Sequence, residues 1–184
     1  LLVFILSTLL SLFIFPKLNS IAKYLDITDK PNKRKQHKNP VVHIGGLGMI
    51  LVFLLVINFS LIFLGTELDF RYLVLIFGSL YFFIIGFTDD LLVLSPFLRL
   101  FLQFLGAIII WHAGLKVSLI NLSWLNIYWD KLVLSDLVSF LFTSFIVLGA
   151  INAINWLDGL DGLASGSVFI SSLGLGILFL LNGN

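Results

Sequence analysis

The chain reads Asn152-Ala153-Ile154-Asn155-Trp156-Leu157-Asp158-Gly159-Leu160-Asp161-Gly162 between two apolar runs, 140–151 and 168–181. Two carboxamides and two carboxylates follow one another here at three-residue steps, a spacing that brings neighbours on a helix to roughly 5–6 Å at Cβ. The flanking runs indicate membrane helices, so these polar groups are expected at a membrane edge. Acids are costly there and are usually functional. The sequence therefore predicts a functional site that includes Asn152, Asn155, Asp158 and Asp161.

The composition of the whole chain is that of an integral membrane protein. Of its 184 residues, 59% are hydrophobic and 11% are charged, which is too apolar for a soluble domain of this length. The net charge of +1 supplies no basic field for a nucleic acid, so none is expected as a partner. The absence of cysteine excludes disulfides and thiolate metal sites.

The alternation of apolar runs with polar loops predicts one all-α domain, a polytopic membrane bundle of about six transmembrane helices. The predicted spans are about 1–15, 45–64, 70–87, 97–115, 135–156 and 163–181. The predicted cytoplasmic segments are about 16–44, 88–96 and 157–162. Their side follows from the positive-inside rule, because seven of the 11 Lys and Arg residues lie in 16–44. The first run is interpreted as a clipped span rather than a signal peptide, because no basic segment precedes it.

The adjacent acids Asp89 and Asp90 need compensation at a membrane boundary, where a cation or hydrogen-bond donors should stand beside them. Carboxylate and carboxamide oxygens are suitable ligands for Mg²⁺, and substrate phosphates and water complete its coordination shell. We therefore expect Mg²⁺, with Mn²⁺ as an alternative. A solvated loop with two ordinary aspartates is the competing interpretation. The candidate ligands are Asp89, Asp90, Asn155, Asp158 and Asp161.

The basic segment 29–37 offers a counterpart for phosphate, because guanidinium and ammonium groups bind phosphates by charge-assisted hydrogen bonds. Gly45-Gly46 then opens the second span, and backbone N–H groups at a helix N-terminus favour anions. An ordinary positive-inside loop and glycines that serve helix packing are the alternatives. Acids for Mg²⁺ beside cations for phosphate indicate phosphoryl transfer, with a lipid as one reactant at the bilayer edge.

Three blocks in this order resemble the polyprenyl-phosphate N-acetylhexosamine-1-phosphate transferases, glycosyltransferase family 4. They are 29–37 with Gly45-Gly46, Gly86-Phe87-Thr88-Asp89-Asp90, and 152–164, and the resemblance runs from about residue 16 to the end. It implies transfer of a sugar 1-phosphate from a UDP-N-acetylhexosamine to undecaprenyl phosphate, with release of UMP and a need for Mg²⁺. It also implies a multi-pass enzyme in the lipid bilayer of the plasma (inner) membrane, with its active site facing the cytoplasm. This would be the first membrane step of a cell-envelope polysaccharide, and a homodimer is compatible with it.

The resemblance also assigns roles. Asp89 and Asp90 match the family's acid pair, described as holding the metal or deprotonating the lipid phosphate, and Asn155 matches a metal ligand. Asp158 and Asp161 match acids assigned to catalysis or nucleotide binding. Arg99 falls where relatives commonly have Lys, whose donor geometry differs. The substrate-binding candidates are Arg34, Lys35, His37, Gly45, Gly46, Arg99 and Asn152.

The first loop is similar to the UDP-GlcNAc branch, because 42–46 lacks the Pro-Thr-Met-Gly-Gly pattern of the muramoyl-pentapeptide branch. We expect GlcNAc-1-phosphate transfer, with the UDP-MurNAc-pentapeptide reaction as an alternative. A CDP-alcohol phosphotransferase is a further alternative, because the signature of that family begins like Asp158-x-x-Asp161-Gly162. The signature continues with an Ala-Arg pair, where this chain has Ser165-Gly166. An ion-coupled transporter is the last alternative, although its acids would be expected at mid-bilayer.

Two family features, a later Phe-x-Gly-Asp block and a His-rich loop, do not occur in the chain, and it begins with Leu1. We therefore expect an N-terminal fragment. For the reaction we expect a direct in-line attack by the lipid phosphate. A phosphate monoester has a second pKa near ~6 and is largely dianionic at neutral pH. An aspartyl-phosphate on Asp89 or Asp90 is the alternative.

Overall fold

The structure is a computed structural model that describes residues 2–24, 28–29, 41–42, 45–63, 65, 69–121, 131–158 and 162–181. These residues form six helices: α1 (Leu2–Tyr24), α2 (Gly45–Phe63), α3 (Phe70–Leu92), α4 (Pro96–His112), α5 (Asp136–Leu157) and α6 (Leu163–Leu181). All of these helices except α4 are long and apolar enough to cross a membrane, and α4 is a shorter apolar helix. The prediction of a polytopic all-α membrane protein is confirmed.

Two short antiparallel strand pairs, which the sequence analysis did not predict, join some of the helices. Strands β1 (Thr28–Asp29) and β2 (Val41–Val42) pair Thr28 with Val42, and β3 (Leu119–Asn121) and β4 (Lys131–Val133) pair Ile120 with Leu132. The first pair holds Thr28–Asp29 beside Val41–Val42, just before α2 begins.

The chain divides into two compact units, residues 1–115 and 116–184. In the first unit, two glycines allow neighbouring helices to approach closely. A Cβ added at Gly48 of α2 would lie 2.9 Å from the Phe15 ring of α1. A Cβ at Gly106 of α4 would lie 2.6 Å from the Phe82 ring of α3. A Cβ at Gly46 would lie 3.6 Å from the Phe83 ring, so the first turn of α2 lies beside the second half of α3.

In the second unit, the β3–β4 hairpin is tied to the start of α5. The backbone N–H of Val117 donates to Oγ1 of the buried Thr143 at 3.0 Å, two turns into the helix. Lys116 Nζ lies 3.2 Å from the Asp136 carboxylate, at the first residue of α5. Helix α6 follows α5 after a short connection, and Gly162 precedes it with a φ of 78°, a value that favours glycine.

Two helices extend beyond the predicted spans. Helix α1 continues past Pro16 to Tyr24, although a proline normally ends or kinks a helix. It continues because Phe15 and Leu18 pack against α2 and Ala22 is fully buried, so packing outweighs one lost hydrogen bond. Helix α3 continues from the predicted end at 87 to Leu92, and this extension places Asp89 and Asp90 in a helical turn rather than in a loop.

Candidate active site

The first unit places the acid pair and Arg99 on the two sides of one tight connection. Asp89 and Asp90 occupy the last turn of α3, and Arg99 occupies the first turn of α4. Only 93–95 separate the two helices. Ser95 is the N-cap of α4, since its Oγ accepts a hydrogen bond from the Leu98 N–H at 3.2 Å, and proline follows it.

The carboxylate of Asp89 is held by two protein donors. Its Oδ1 accepts a hydrogen bond from the Leu94 backbone N–H at 3.0 Å, and its Oδ2 accepts one from Arg99 Nη1 at 2.8 Å. Side-chain exposure is 17% for Asp89 and 24% for Arg99, so this ion pair is partly shielded from water. Charge-assisted bonds of this kind are roughly twice as strong as neutral ones. Arg99 is therefore the expected cation beside Asp89.

The connection itself contains a strained residue. Val93 has φ 51° and ψ 69°, in the left-handed region that β-branched residues rarely adopt. Its side chain is 83% exposed, so burial of the side chain does not stabilise this conformation. Its N–H donates to the Asp89 carbonyl oxygen at 2.8 Å. Asp89 therefore accepts hydrogen bonds from two successive residues of the connection, with its main chain and with its side chain.

Arg99 is only partly satisfied by this contact. A guanidinium has five N–H donors. Its Nε is buried and has no hydrogen-bond partner in the part of the chain that the structure describes. Because Nε is buried, a further acceptor would have to approach the part of the side chain that stays exposed, 24% of it, and the phosphate role of Arg99 stays what the resemblance implies.

Asp90 lies on a different face of α3 from Asp89. It follows Phe83 and Phe87 at helical spacing, and the rings of these two residues stack with centroids 5.6 Å apart. A Cβ added at Gly46 of α2 would lie 3.6 Å from the Phe83 ring, so the N-terminal turn of α2 packs on this face. Asp90 itself is exposed.

Gly45 and Gly46 open α2, as the sequence predicted. Among the described residues, a Cβ at Gly45 would meet no heavy atom within 4 Å, and the distance at Gly46 is an ordinary contact. These described neighbours therefore do not require glycine at either position, in contrast to Gly48. The anion-binding role of the two glycines stays a prediction, with helix packing as its alternative.

The second unit carries the remaining described candidates at the end of α5. Asn152 and Asn155 lie in the last two turns, and Asp158 is the C-cap residue. Asn152 Nδ2 donates to the Leu148 carbonyl oxygen at 2.8 Å, whereas Asn155 and Asp158 are exposed. The helix thus presents three of the four polar residues as expected. Arg34, Lys35, His37 and Asp161 lie outside the described residues.

The predicted metal set, Asp89, Asp90 and Asn155, is divided between the two units, and their convergence stays a prediction. Among the described residues, no group of three or more His, Cys, Asp or Glu side chains could hold a metal ion. This finding is compatible with Mg²⁺, which commonly takes one or two carboxylates and completes its shell with substrate phosphates and water. Exposed carboxylate and carboxamide oxygens at Asp90 and Asn155 fit that chemistry.

Sequence reasoning missed the pairing of Asp89 with Arg99 and the strain at Val93. The two charged residues are ten positions apart across a helix break, and no helical or strand periodicity connects such positions. The Ser95-Pro96 pair was a readable signal for the start of a helix.

Comparison with known proteins identifies the family. The family model described as glycosyl transferase family 4 matches residues 72–184. The chain is 29% identical to a probable undecaprenyl-phosphate N-acetylglucosaminyl 1-phosphate transferase of Bacillus subtilis, over 98% of the chain and 48% of that relative. It is 31% identical to the undecaprenyl-phosphate alpha-N-acetylglucosaminyl 1-phosphate transferase of Escherichia coli, over 95% of the chain and 47% of the relative.

A third relative has a different name. The phospho-N-acetylmuramoyl-pentapeptide-transferase of Streptococcus agalactiae is 36% identical over 78% of the chain and 46% of the relative. The chain thus spans about half the length of these curated relatives. No solved structure matches it significantly. Because the family model covers more than half of the residues, including the acid pair, Arg99 and the end of α5, the chain belongs to glycosyl transferase family 4.

Proposed function

We propose that the protein transfers N-acetylglucosamine 1-phosphate from UDP-GlcNAc to undecaprenyl phosphate and releases UMP, the first membrane step of a cell-envelope polysaccharide. One observation carries the proposal. In a chain of this family, the partly buried Asp89–Arg99 ion pair, with Asp90 beside it, joins the end of one apolar helix to the start of the next. Relatives named for N-acetylglucosaminyl 1-phosphate transfer align over 95% or more of the chain, and one named for muramoyl-pentapeptide transfer aligns over all of it. The choice of GlcNAc therefore rests on the sequence of the first loop.

The reaction needs no proton transfer when the lipid phosphate is dianionic. An oxygen of undecaprenyl phosphate attacks the sugar-linked phosphorus of UDP-GlcNAc, and a new P–O bond forms in line with the bond that breaks. UMP leaves with the electron pair of that bond, so charge and atoms balance. Positioning and charge neutralisation then supply most of the catalysis. The alternative is an aspartyl-phosphate on Asp89 or Asp90, which a phospho-enzyme trapped from UDP-GlcNAc alone would reveal.

In this proposal the basic side chains and the metal ion together neutralise the negative charge of the substrate phosphates. Arg99 and the basic segment with Arg34, Lys35 and His37 bind phosphate oxygens, and the backbone at Gly45 and Gly46 gives an anion close access to a helix N-terminus. Asn152, Asp158 and Asp161 are assigned to the nucleotide and to catalysis. Mg²⁺, or Mn²⁺ in its place, would be held by Asn155 with the acid pair and would neutralise negative charge on the diphosphate.

The protein is a multi-pass membrane protein, and we propose that its site faces the cytoplasm from the plasma membrane. The seven basic residues in 16–44 support this orientation by the positive-inside rule. A water-soluble nucleotide sugar would reach the site from that side. A homodimer is a further expectation, which mass photometry of the full-length protein in nanodiscs would measure.

The second candidate is the UDP-MurNAc-pentapeptide reaction, which the 36% identity to the Streptococcus agalactiae relative favours. Family membership argues against a CDP-alcohol phosphotransferase and against a transporter. The test incubates the full-length protein with undecaprenyl phosphate, Mg²⁺ and either UDP-GlcNAc or UDP-MurNAc-pentapeptide, and measures UMP and lipid-linked product. We expect UMP from UDP-GlcNAc that disappears when the lipid is omitted or EDTA is added. UMP from the muramoyl substrate alone would establish the second candidate, and UMP from neither would refute both.

A further inference from the structure

We infer that the two adjacent acids have different tasks: Asp89 is a positioning residue that holds Arg99 and the α3–α4 connection, and Asp90 is the member of the pair that meets the metal and substrate phosphates. This inference rests on the proposed function and refines it, since the resemblance treats the two acids as one unit. Four observations lead to it, and all of them concern residues of the first unit.

The first observation is that protein donors already engage Asp89. Each carboxylate oxygen accepts one hydrogen bond, from the Leu94 N–H at 3.0 Å and from Arg99 Nη1 at 2.8 Å. A divalent cation on this carboxylate would stand next to the guanidinium charge, and like charges at such short range repel one another. Asp89 is therefore a poor site for Mg²⁺ as long as Arg99 is paired with it.

The second observation is the strained connection. A β-branched residue at φ 51° persists only when its surroundings determine its conformation. Two contacts at position 89 help to determine it: the main-chain carbonyl oxygen accepts from the Val93 N–H, as it would for any residue, and the carboxylate of Asp89 accepts from the Leu94 N–H. Only the second contact depends on the aspartate side chain. Helix α4 starts directly after this connection, so the contacts of Asp89 also set where the first turn of α4, with Arg99, lies.

The third observation is the direction of the two acids. Consecutive residues of a helix point about 100° apart. Asp89 shares a face with Phe82 and with the buried Ile85, and Phe82 packs on Gly106 of α4. Asp90 shares the face of Phe83, on which the N-terminal turn of α2 packs. Asp89 thus lies on the face of α3 that packs on α4, and Asp90 lies on the face that contacts the N-terminal turn of α2.

The fourth observation concerns Arg99. Its contact with Asp89 uses Nη1, and its buried Nε lacks an acceptor among the described residues. A cation held at one edge by a carboxylate, with donors left over, is arranged to receive an anion in a fixed orientation. Asp89 would then act on the reaction through Arg99 rather than by touching the reacting atoms.

The test compares matched variants of the full-length protein in nanodiscs: Asp89→Asn, Asp90→Asn and the control Asp69→Asn. Asp69 forms a looser, exposed pair with Arg71 at 3.6 Å, at the opposite end of the same helix. The Kd for Mn²⁺ alone is measured by EPR. We expect Asp90→Asn to raise this Kd about tenfold or more, and Asp89→Asn and Asp69→Asn to change it less than about threefold.

Amide hydrogen exchange supplies a readout that does not depend on activity. Asp89→Ala removes both side-chain acceptors, and we expect exchange at 93–94 to accelerate about tenfold or more. Asp89→Asn keeps one oxygen for the Leu94 N–H, so its acceleration should be smaller. Asn at 89 also keeps the side-chain size, so it serves if Asp89→Ala does not fold. Asp90→Asn should leave exchange at 93–94 unchanged.

A double-variant cycle separates positioning from a merely structural role. In the wild-type background, we expect Asp89→Asn to lower kcat/KM for the UDP-sugar about tenfold. In an Arg99→Gln background the same substitution should cost less than about threefold, because its effect passes through Arg99. A structural role would cost the same in both backgrounds.

Four results would overturn the inference. They are a Kd for Mn²⁺ that rises in Asp89→Asn as much as in Asp90→Asn, a Kd unchanged in Asp90→Asn, unchanged exchange at 93–94 in Asp89→Ala, and an equal cost of Asp89→Asn in the wild-type and Arg99→Gln backgrounds. Failure of the proposed function looks different. In that case the wild-type protein releases no UMP from any UDP-sugar tested, while the Mn²⁺ and exchange measurements still decide between Asp89 and Asp90.

Discussion

Replacing Gly106 by Ala tests the packing that brings α3 and α4 together. The new methyl group would lie 2.6 Å from Cζ of Phe82 and 2.7 Å from Cε1 of Tyr81, whereas carbon atoms prefer about 3.5–4.0 Å. Tyr81 cannot simply swing aside, because its hydroxyl donates to the Leu102 carbonyl oxygen at 2.8 Å. We expect this overpacking to cost about 1–3 kcal/mol.

Gly78→Ala is the matched control for this substitution. Gly78 lies within α3, and a methyl group there would meet no heavy atom of the described residues within 4 Å. Both substitutions gain about 0.5–1 kcal/mol of helix propensity, so the difference between them isolates the clash. The readout is the thermal unfolding midpoint of the full-length protein in detergent, followed by intrinsic tryptophan fluorescence.

We expect Gly106→Ala to unfold at a lower temperature than Gly78→Ala. It should also lower UMP release, because the Asp89–Arg99 pair joins the same two helices. Equal midpoints for the two alanine variants would refute the reasoning, since the helix contact at Gly106 would then not depend on the missing side chain.

Four further predictions use the same unfolding assay. Gly48→Ala should cost about 1–3 kcal/mol because its methyl group would lie 2.9 Å from the Phe15 ring, and a midpoint at or above that of wild type would contradict this contact. Val93→Gly should stabilise the protein by about 1 kcal/mol by relieving the left-handed strain, and a lower midpoint would show that the valine side chain matters more than its backbone angle. Thr143→Val should cost about 1–3 kcal/mol because the Val117 N–H loses its acceptor. Asp136→Asn, by contrast, should change stability by less than about 1 kcal/mol because its ion pair is exposed.

The sequence by itself determined much of the architecture, namely the features that depend on the properties of a single segment. The apolar runs predicted where the six described helices lie, because the length and hydrophobicity of one run decide whether it can form a membrane helix. The start of α2 at Gly45 and the position of Asn152 and Asn155 at the end of α5 followed in the same way. The motifs around 86–90 and 152–164 also predicted the family, which the family match confirms.

Contacts between segments were decided only by the tertiary structure. Nothing local distinguishes Gly48, which packs tightly under Phe15, from Gly45, whose Cβ would meet none of the described residues within 4 Å. The sequence also could not show that Asp89 pairs with Arg99 while Asp90 lies on another face of the same helix. Whether α1 ends at Pro16 depended in turn on the surface of α2 that Leu18 covers. The reason is common to all three: where a helix ends and how it is rotated depend on side chains far away in the sequence, and a shift of one residue turns a side chain by about 100°.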